Sequence, residues 1–209
     1  MGIYEFAGCV VSYEPLYGLL RRRMETYRSD TERQPDITLD GTKEDYEKLR
    51  KQYPHLSIEE CEYSCAGAEF YMKLLKHQGF MIHASAVEKE GKAYLFSAPS
   101  GTGKSTHAQL WRQTFKGEPI RIINDDKPAV CLQNGVFYAC GTPFSGKTDK
   151  NENRKAPIQG LCMLHRGKTN KIQKITSGEA LPLILPQTLF YGDEEETNLL
   201  LSFLDRFLQ

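Results

Sequence analysis

The run Ala98-Pro99-Ser100-Gly101-Thr102-Gly103-Lys104-Ser105-Thr106 has glycines, a lysine and a hydroxyl residue at the spacing of a phosphate-binding loop, with alanine in the first glycine position. Gly101 and Gly103 let the backbone turn sharply and aim successive N–H groups inward as an anion nest. A helix opening near Ser105 adds unpaired N–H groups and the positive end of its dipole. Lys104 is expected to reach the β- and γ-phosphates, and the Ser105 hydroxyl to ligate Mg²⁺. The expected cofactors are therefore ATP and Mg²⁺, bound by Ser100, Gly101, Thr102, Gly103, Lys104, Ser105 and Thr106.

Downstream, the apolar run Ile120–Asn124 ends in Asp125 and Asp126. Beside a phosphate loop, one carboxylate can hold the metal while the other accepts a proton from a nucleophilic hydroxyl. Without that loop, Asp-Asp before Lys127-Pro128 would read as a polar turn. His83 enters through register: if residues 89–91 form a hairpin turn, position 83 falls near position 97, at the mouth of the loop. Further on, Thr142–Pro157 is a long polar loop carrying Lys147, Lys150, Arg154 and Lys155. Each of the four is a candidate to close over phosphates or hold an acceptor, the first three foremost; the plain alternative is a solvated basic loop.

Together, Met81-Ile82-His83-Ala84-Ser85-Ala86-Val87, the loop from Ser100 to Ser105 and Ile123-Asn124-Asp125-Asp126 resemble, in order and spacing, the catalytic domain of the HPr kinase/phosphorylase family, related to the phosphoenolpyruvate carboxykinases. The resemblance covers residues 80–165. It implies ATP, Mg²⁺ and phosphorylation of a serine hydroxyl on a protein or peptide. It also implies His83 as the active-site histidine, Asp125 as catalytic base and Asp126 near the metal. Thr106 stands where the family usually has an acidic residue, and the family's downstream Arg-Gly-Leu-Gly type signature is not found. The loop from Gly141 is similar to shorter homologues that phosphorylate serines of small ribosomal peptides. A kinase for a metabolite such as free serine, a carboxykinase-like enzyme and a non-enzymatic nucleotide switch are the competing readings. No guanine-specific Asn-Lys-x-Asp motif supports the last.

These residues must be positioned by an α/β (α+β) fold: a mixed sheet flanked by helices. Residues 1–78 read as an α+β subregion, and residues 79–209 as the P-loop core. In the first part, Ile3–Val11 is an expected strand and Tyr13–Tyr27 an expected helix, with Arg21-Arg22-Arg23 on a solvated face. Ile37–Leu39 is a short strand. Capping boxes at Thr42/Asp45 and Ser57/Glu60 open helices to Gln52 and toward His77, the second with Ala66, Phe70 and Leu74 on one face. Met81–Val87 and Lys92–Ala98 form an expected hairpin, followed by a helix over Ser105–Phe115. Lys127–Leu132 and Val136–Cys140 form a second hairpin about Asn134-Gly135. Ile158–Arg166 and Lys171–Ile175 are expected strands, and Glu179–Leu185 and Glu194–Phe207 expected helices.

The 209 residues are 40% apolar and 26% charged, with 27 basic and 27 acidic side chains. Zero net charge argues against a dedicated nucleic-acid binder. No apolar run approaches a membrane span and no signal-peptide pattern opens the chain, so the expectation is a cytoplasmic protein whose partner is a serine-bearing peptide or protein, with a homo-oligomer left open. Six cysteines without Cys-x-x-Cys spacing read as packed free thiols rather than a zinc site.

Overall fold

The computed structural model describes residues 1–115, 117, 119–189 and 192–209. Its strands are β1 (Gly2–Phe6), β2 (Cys9–Tyr13), β3 (Ile37–Thr38), β4 (Gly79–Met81), β5 (Ala84–Lys89), β6 (Lys92–Ser97), β7 (Arg121–Asn124), β8 (Ala129–Gln133), β9 (Val136–Cys140) and β10 (Lys155–Met163). The helices are α1 (Gly18–Met24), α2 (Lys43–Gln52), α3 (Ile58–Leu74), α4 (Lys104–Thr114), α5 (Ser177–Ile184) and α6 (Glu194–Phe207). They build a mixed α+β architecture with a seven-stranded sheet in the order β4-β8-β9-β10-β6-β5-β7 and a three-stranded sheet in the order β1-β2-β3. Among the described residues no helix is long and apolar enough to cross a membrane.

Tight two-residue turns set the strand registers. Glu90-Gly91 joins β5 to β6 and Asn134-Gly135 joins β8 to β9, each pair at positive φ, the twist that matches antiparallel strands. The expected strand Ile3–Val11 is instead a hairpin. Ala7 and Gly8 turn at φ 53° and 81°, so Phe6 pairs with Cys9. Alanine seldom adopts that conformation, which is why the turn left little trace in the sequence.

The first helix starts five residues later than expected. The chain stays extended through Tyr13, and buried Glu62 of α3 takes the N–H groups of Leu16 (2.5 Å) and Tyr17 (3.1 Å) ahead of α1. Both capping boxes form, and Ala66, Phe70 and Leu74 are buried as their spacing requires. A third box, Thr176/Glu179, opens α5. The segment Lys171–Ile175 is not a strand: it is irregular and exposed, with Ile172 87% accessible. β10 pairs with β9 over Lys155–Pro157 and with β6 over Ile158–Met163, and the segment joins neither stretch.

The expected strand Met81–Val87 breaks at Ile82-His83. β4 pairs with β8 at one edge of the sheet, while β5 pairs with β6 and β7 toward the other. The crossing is held by Ile82 N donating to Pro128 O (3.3 Å), His83 N to Gln187 O (2.7 Å) and Ala84 N to Asp126 O (3.2 Å).

One aromatic cluster unites residues from both parts of the chain. Phe144, fully buried, lies 5.9 Å from the Phe70 ring, 5.7 Å from Tyr71, 5.6 Å from Tyr63 and 6.5 Å from Phe6. The polar loop is thus anchored at its start, with residues 141–145 all buried. All six cysteines are free, and four of them are buried.

Candidate functional site

β5 runs antiparallel to both β6 and β7. The amino end of β5 therefore lies beside the carboxyl ends of its two neighbours. His83 precedes β5, the phosphate-loop sequence follows β6, and Asp125-Asp126 follow β7, so three segments distant in sequence meet at one sheet edge. The register expectation for His83 holds: Ala84 pairs with Ser97, and Ser97 Oγ donates to His83 O at 2.9 Å.

The loop after β6 has the backbone of an anion cradle. Gly101 and Gly103 sit at φ 77° and 118°, where a side chain would be strained, and a Cβ at either would meet nothing within 4 Å. Gly103 caps α4 with no side-chain bond, so the first-turn N–H groups have no side-chain partner there. Lys104 is 7% exposed and folds back over the loop, donating to Ala98 O at 2.9 Å. Burial lowers the pKa of its ammonium, against the opposing pull of the Asp126 and Asp125 carboxylates. The antiparallel pairing of β5 with β6 and β7 brings the loop lysine and the acid pair to the same strand ends.

β10 runs parallel to β6, so its end emerges at the same edge. From there Arg166 Nη2 donates to Gly101 O at 2.5 Å. A cavity of about 340 Å³ opens here between Pro99 and Thr102 on one side and Leu164 and Pro186 on the other. Arg166 was not among the sequence candidates; its place at the end of an expected strand was the available signal.

The two aspartates have different surroundings. Asp125 is 3% exposed; Ser85 Oγ donates to its Oδ1 at 2.7 Å and Thr148 Oγ1 to its Oδ2 at 2.9 Å. Its backbone N–H donates to Lys150 O at 3.0 Å. Asp126 faces charge. His83 Nε2 lies 3.4 Å from its Oδ1, and the Lys127 ammonium pairs with its Oδ2. Burial alone would raise the Asp126 pKa, but the His83 bond and the Lys127 charge outweigh it and hold the carboxyl at about 2. The other ring nitrogen of His83, Nδ1, lies 3.1 Å from Gln187 Oε1. Buried Asn124 fixes the turn: its Oδ1 accepts from Asp126 N (3.0 Å) and Lys127 N (2.8 Å), and its Nδ2 donates to Thr142 O (3.1 Å).

A depressed carboxylate pKa has a signed consequence. The folded value of about 2 lies below the ordinary 3.8, so Asp126 contributes stability that is complete above pH 4 and is lost as pH falls toward 2. In urea unfolding across that window, Asp126→Asn is expected to show a shallower fall in midpoint than the unsubstituted protein. Identical slopes would contradict the assignment.

The segment 145–150 covers the acid pair, and the N-terminal part of the chain holds it there. Arg23 Nη2 donates to Gly146 O at 2.7 Å, Arg23 Nε lies 3.0 Å from Asp149 Oδ1, and the guanidinium packs over Tyr63 at 4.8 Å. Tyr63 Oη accepts from Gly146 N at 3.0 Å. A Cβ on Gly146 would stand 2.7 Å from the Asp126 carboxyl, so only glycine lets the loop come this close. Of the basic run, Arg21 and Arg22 are exposed as expected, but the Arg23 side chain is 9% accessible and structural. Spacing in the sequence does not distinguish it from its neighbours.

The cations of the loop do not converge. Lys147 is exposed, and its charge reaches Glu60 at the start of α3. Lys150 serves through its backbone carbonyl, under Asp125. Arg154 pairs with Glu88 (2.7 Å) and Glu152 (3.0 Å), beside Arg121 at the far end of β5, away from the phosphate loop. Its expected place over the phosphates is therefore corrected: two carboxylates hold it elsewhere. Thr148 and Gln187, which also hold the site, lie in no motif, while Ser85 and Asn124 stand within the resembling runs without a role assigned to them there.

No family model matches the chain, and no curated protein matches it in sequence.

Proposed function

We propose that the protein is an ATP-dependent kinase that moves a γ-phosphoryl group to a serine hydroxyl of a peptide or protein, on a fold of the HPr kinase type. The observation that carries this reading is the meeting of the Lys104 loop and Asp125-Asp126 at one sheet edge, with a buried Asp125 already accepting a hydrogen bond from an alcohol.

The residues suit the nucleotide and its metal. The open glycine cradle, the α4 amino end and the lysine offer donors to phosphate. Ser105 and the firmly ionised Asp126 offer the hard oxygens that Mg²⁺ prefers. MgATP, when bound, supplies the phosphoryl group and a divalent charge to balance it. Lys104, now bonded to Ala98 O, would hold the phosphate oxygens, and Asp126 with Ser105 would hold the metal. Asp125 takes the acceptor's proton at Oδ2, while Ser85 steadies Oδ1. His83, fixed by Gln187, holds Asp126 in place. Positioning and fixed charge carry most of the rate.

Arg23 is a positioning residue in this scheme, since it holds Gly146 and Asp149 over the acid pair. Arg23→Gln is expected to lower the transfer rate roughly ten- to a hundredfold through misplacement of the loop, with nucleotide affinity unchanged. Rate measurements at saturating MgATP, beside a nucleotide titration, check this; an unchanged rate would remove Arg23 from the account.

The acceptor class is tested by incubating the protein with Mg²⁺, γ-labelled ATP and a lysate of its source, then separating metabolites, peptides and proteins. Label on a serine of a peptide or protein is the expected result. Label on a metabolite would move the assignment to a small-molecule kinase, and nucleotide binding without transfer would leave a switch.

A further inference from the structure

Thr148 occupies an unusual position for a loop residue. It ends the single 3₁₀ turn Gly146–Thr148 and is exposed to solvent, yet its hydroxyl donates at 2.9 Å to Oδ2 of the buried Asp125. The flanking residues are fixed in uncommon backbone: Gly146 at φ 69° and Asp149 at φ 51°. Arg23 clamps both, through Gly146 O and the Asp149 carboxylate. The chain thus presents one alcohol, on a rigid turn, to the carboxylate that would take the acceptor's proton. A general base must stand within hydrogen-bond reach of the proton it removes, and Thr148 meets that requirement.

Resting on the kinase reading above, we propose that Thr148 is an internal acceptor and that the protein phosphorylates itself there when supplied with MgATP. Thr148 Oγ1 forms a bond to the γ-phosphorus while the bond from that phosphorus to the β,γ-bridging oxygen breaks. ADP leaves with the electron pair. The hydroxyl proton passes to Asp125 and from it to solvent. The product carries close to two negative charges beside the Asp125 and Asp149 carboxylates, which repel it. The modified turn is therefore driven off the base, and the place its hydroxyl held becomes open to an external serine.

The test needs only the purified full chain, Mg²⁺ and γ-labelled ATP. Intact mass spectrometry should show one added phosphoryl group, mapped to Thr148 by peptide sequencing. Thr148→Ser should keep the label, on residue 148. Thr148→Val should lose it while still binding MgATP in a nucleotide titration, and a thermal melt verifies that the variant is folded. Independence of the labelling rate from protein concentration identifies transfer within one chain. Turnover of ATP with no label on residue 148, or a fraction of Thr148 labelled per unit time that rises in proportion to protein concentration, overturns the proposal and leaves the kinase reading standing. Absence of any ATP turnover overturns both.

Discussion

Replacing Asp125 with asparagine is expected to lower phosphoryl transfer by about 10²–10⁴-fold, the range that a positioned general base contributes. The substitution keeps the shape of the side chain. Its two hydrogen-bond partners are the hydroxyls of Ser85 and Thr148, which can each donate or accept, so an amide is accommodated where a carboxylate stood. The turn itself is held by Asn124 and by backbone bonds to Lys150 and Asn124, none of which involves the Asp125 carboxyl. The fold and the affinity for MgATP should therefore survive while the proton acceptor is gone. Rates at saturating nucleotide, beside a binding isotherm, check this. Loss of less than threefold would mean that the proton goes elsewhere, with Asp126 and His83 the adjacent groups to examine.

Lys104→Met is expected to separate activity from stability. In the structure the ammonium is buried against Ala98 O and Pro99 O, with the acid pair as its electrostatic support. Burial lowers its pKa, so an uncharged side chain of similar length relieves a desolvation cost and is expected to leave the thermal midpoint of the nucleotide-free protein unchanged or slightly raised. The same change removes the cation that meets the phosphates, and transfer should fall by about 10²–10³-fold, as for loss of a fixed group that stabilises developing charge. A lowered midpoint with transfer intact would reverse the account of this residue and make it a structural cation.

What could be read in the sequence follows from locality. The glycine-rich turn at Gly101–Gly103, the capping boxes at Thr42 and Ser57 and the Asn134-Gly135 hairpin are set by residues within a few positions of one another, and each turn, cap or hairpin formed where its residues stand. His83 was placed by register, a relation that needs only a turn position and the two-residue period of a strand. The hairpin at Ala7-Gly8 was hidden because alanine rarely turns at positive φ. The segment Lys171–Ile175 had a strand's pattern but stays irregular and exposed, because strand partners are a property of the whole sheet and not of the segment. The same limit applies to the site. Arg23 and Tyr63 reach Gly146 across more than 80 residues, and Thr148 reaches Asp125 from a loop that looked solvated until Phe144 anchored it in the core. No pattern within a dozen residues contains those contacts.

Transfer of phosphate to an alcohol at these strand ends is the reaction to be measured. The most direct measurement follows the acid-stable, alkali-labile phosphate formed from γ-labelled ATP in a lysate of the protein's source, for the unsubstituted protein, Asp125→Asn and Lys104→Met side by side. The account predicts phosphoserine formation by the unsubstituted protein and background levels from both variants, with MgATP still bound by Asp125→Asn. Equal labelling from all three proteins, or none from any while MgATP binds, would contradict it.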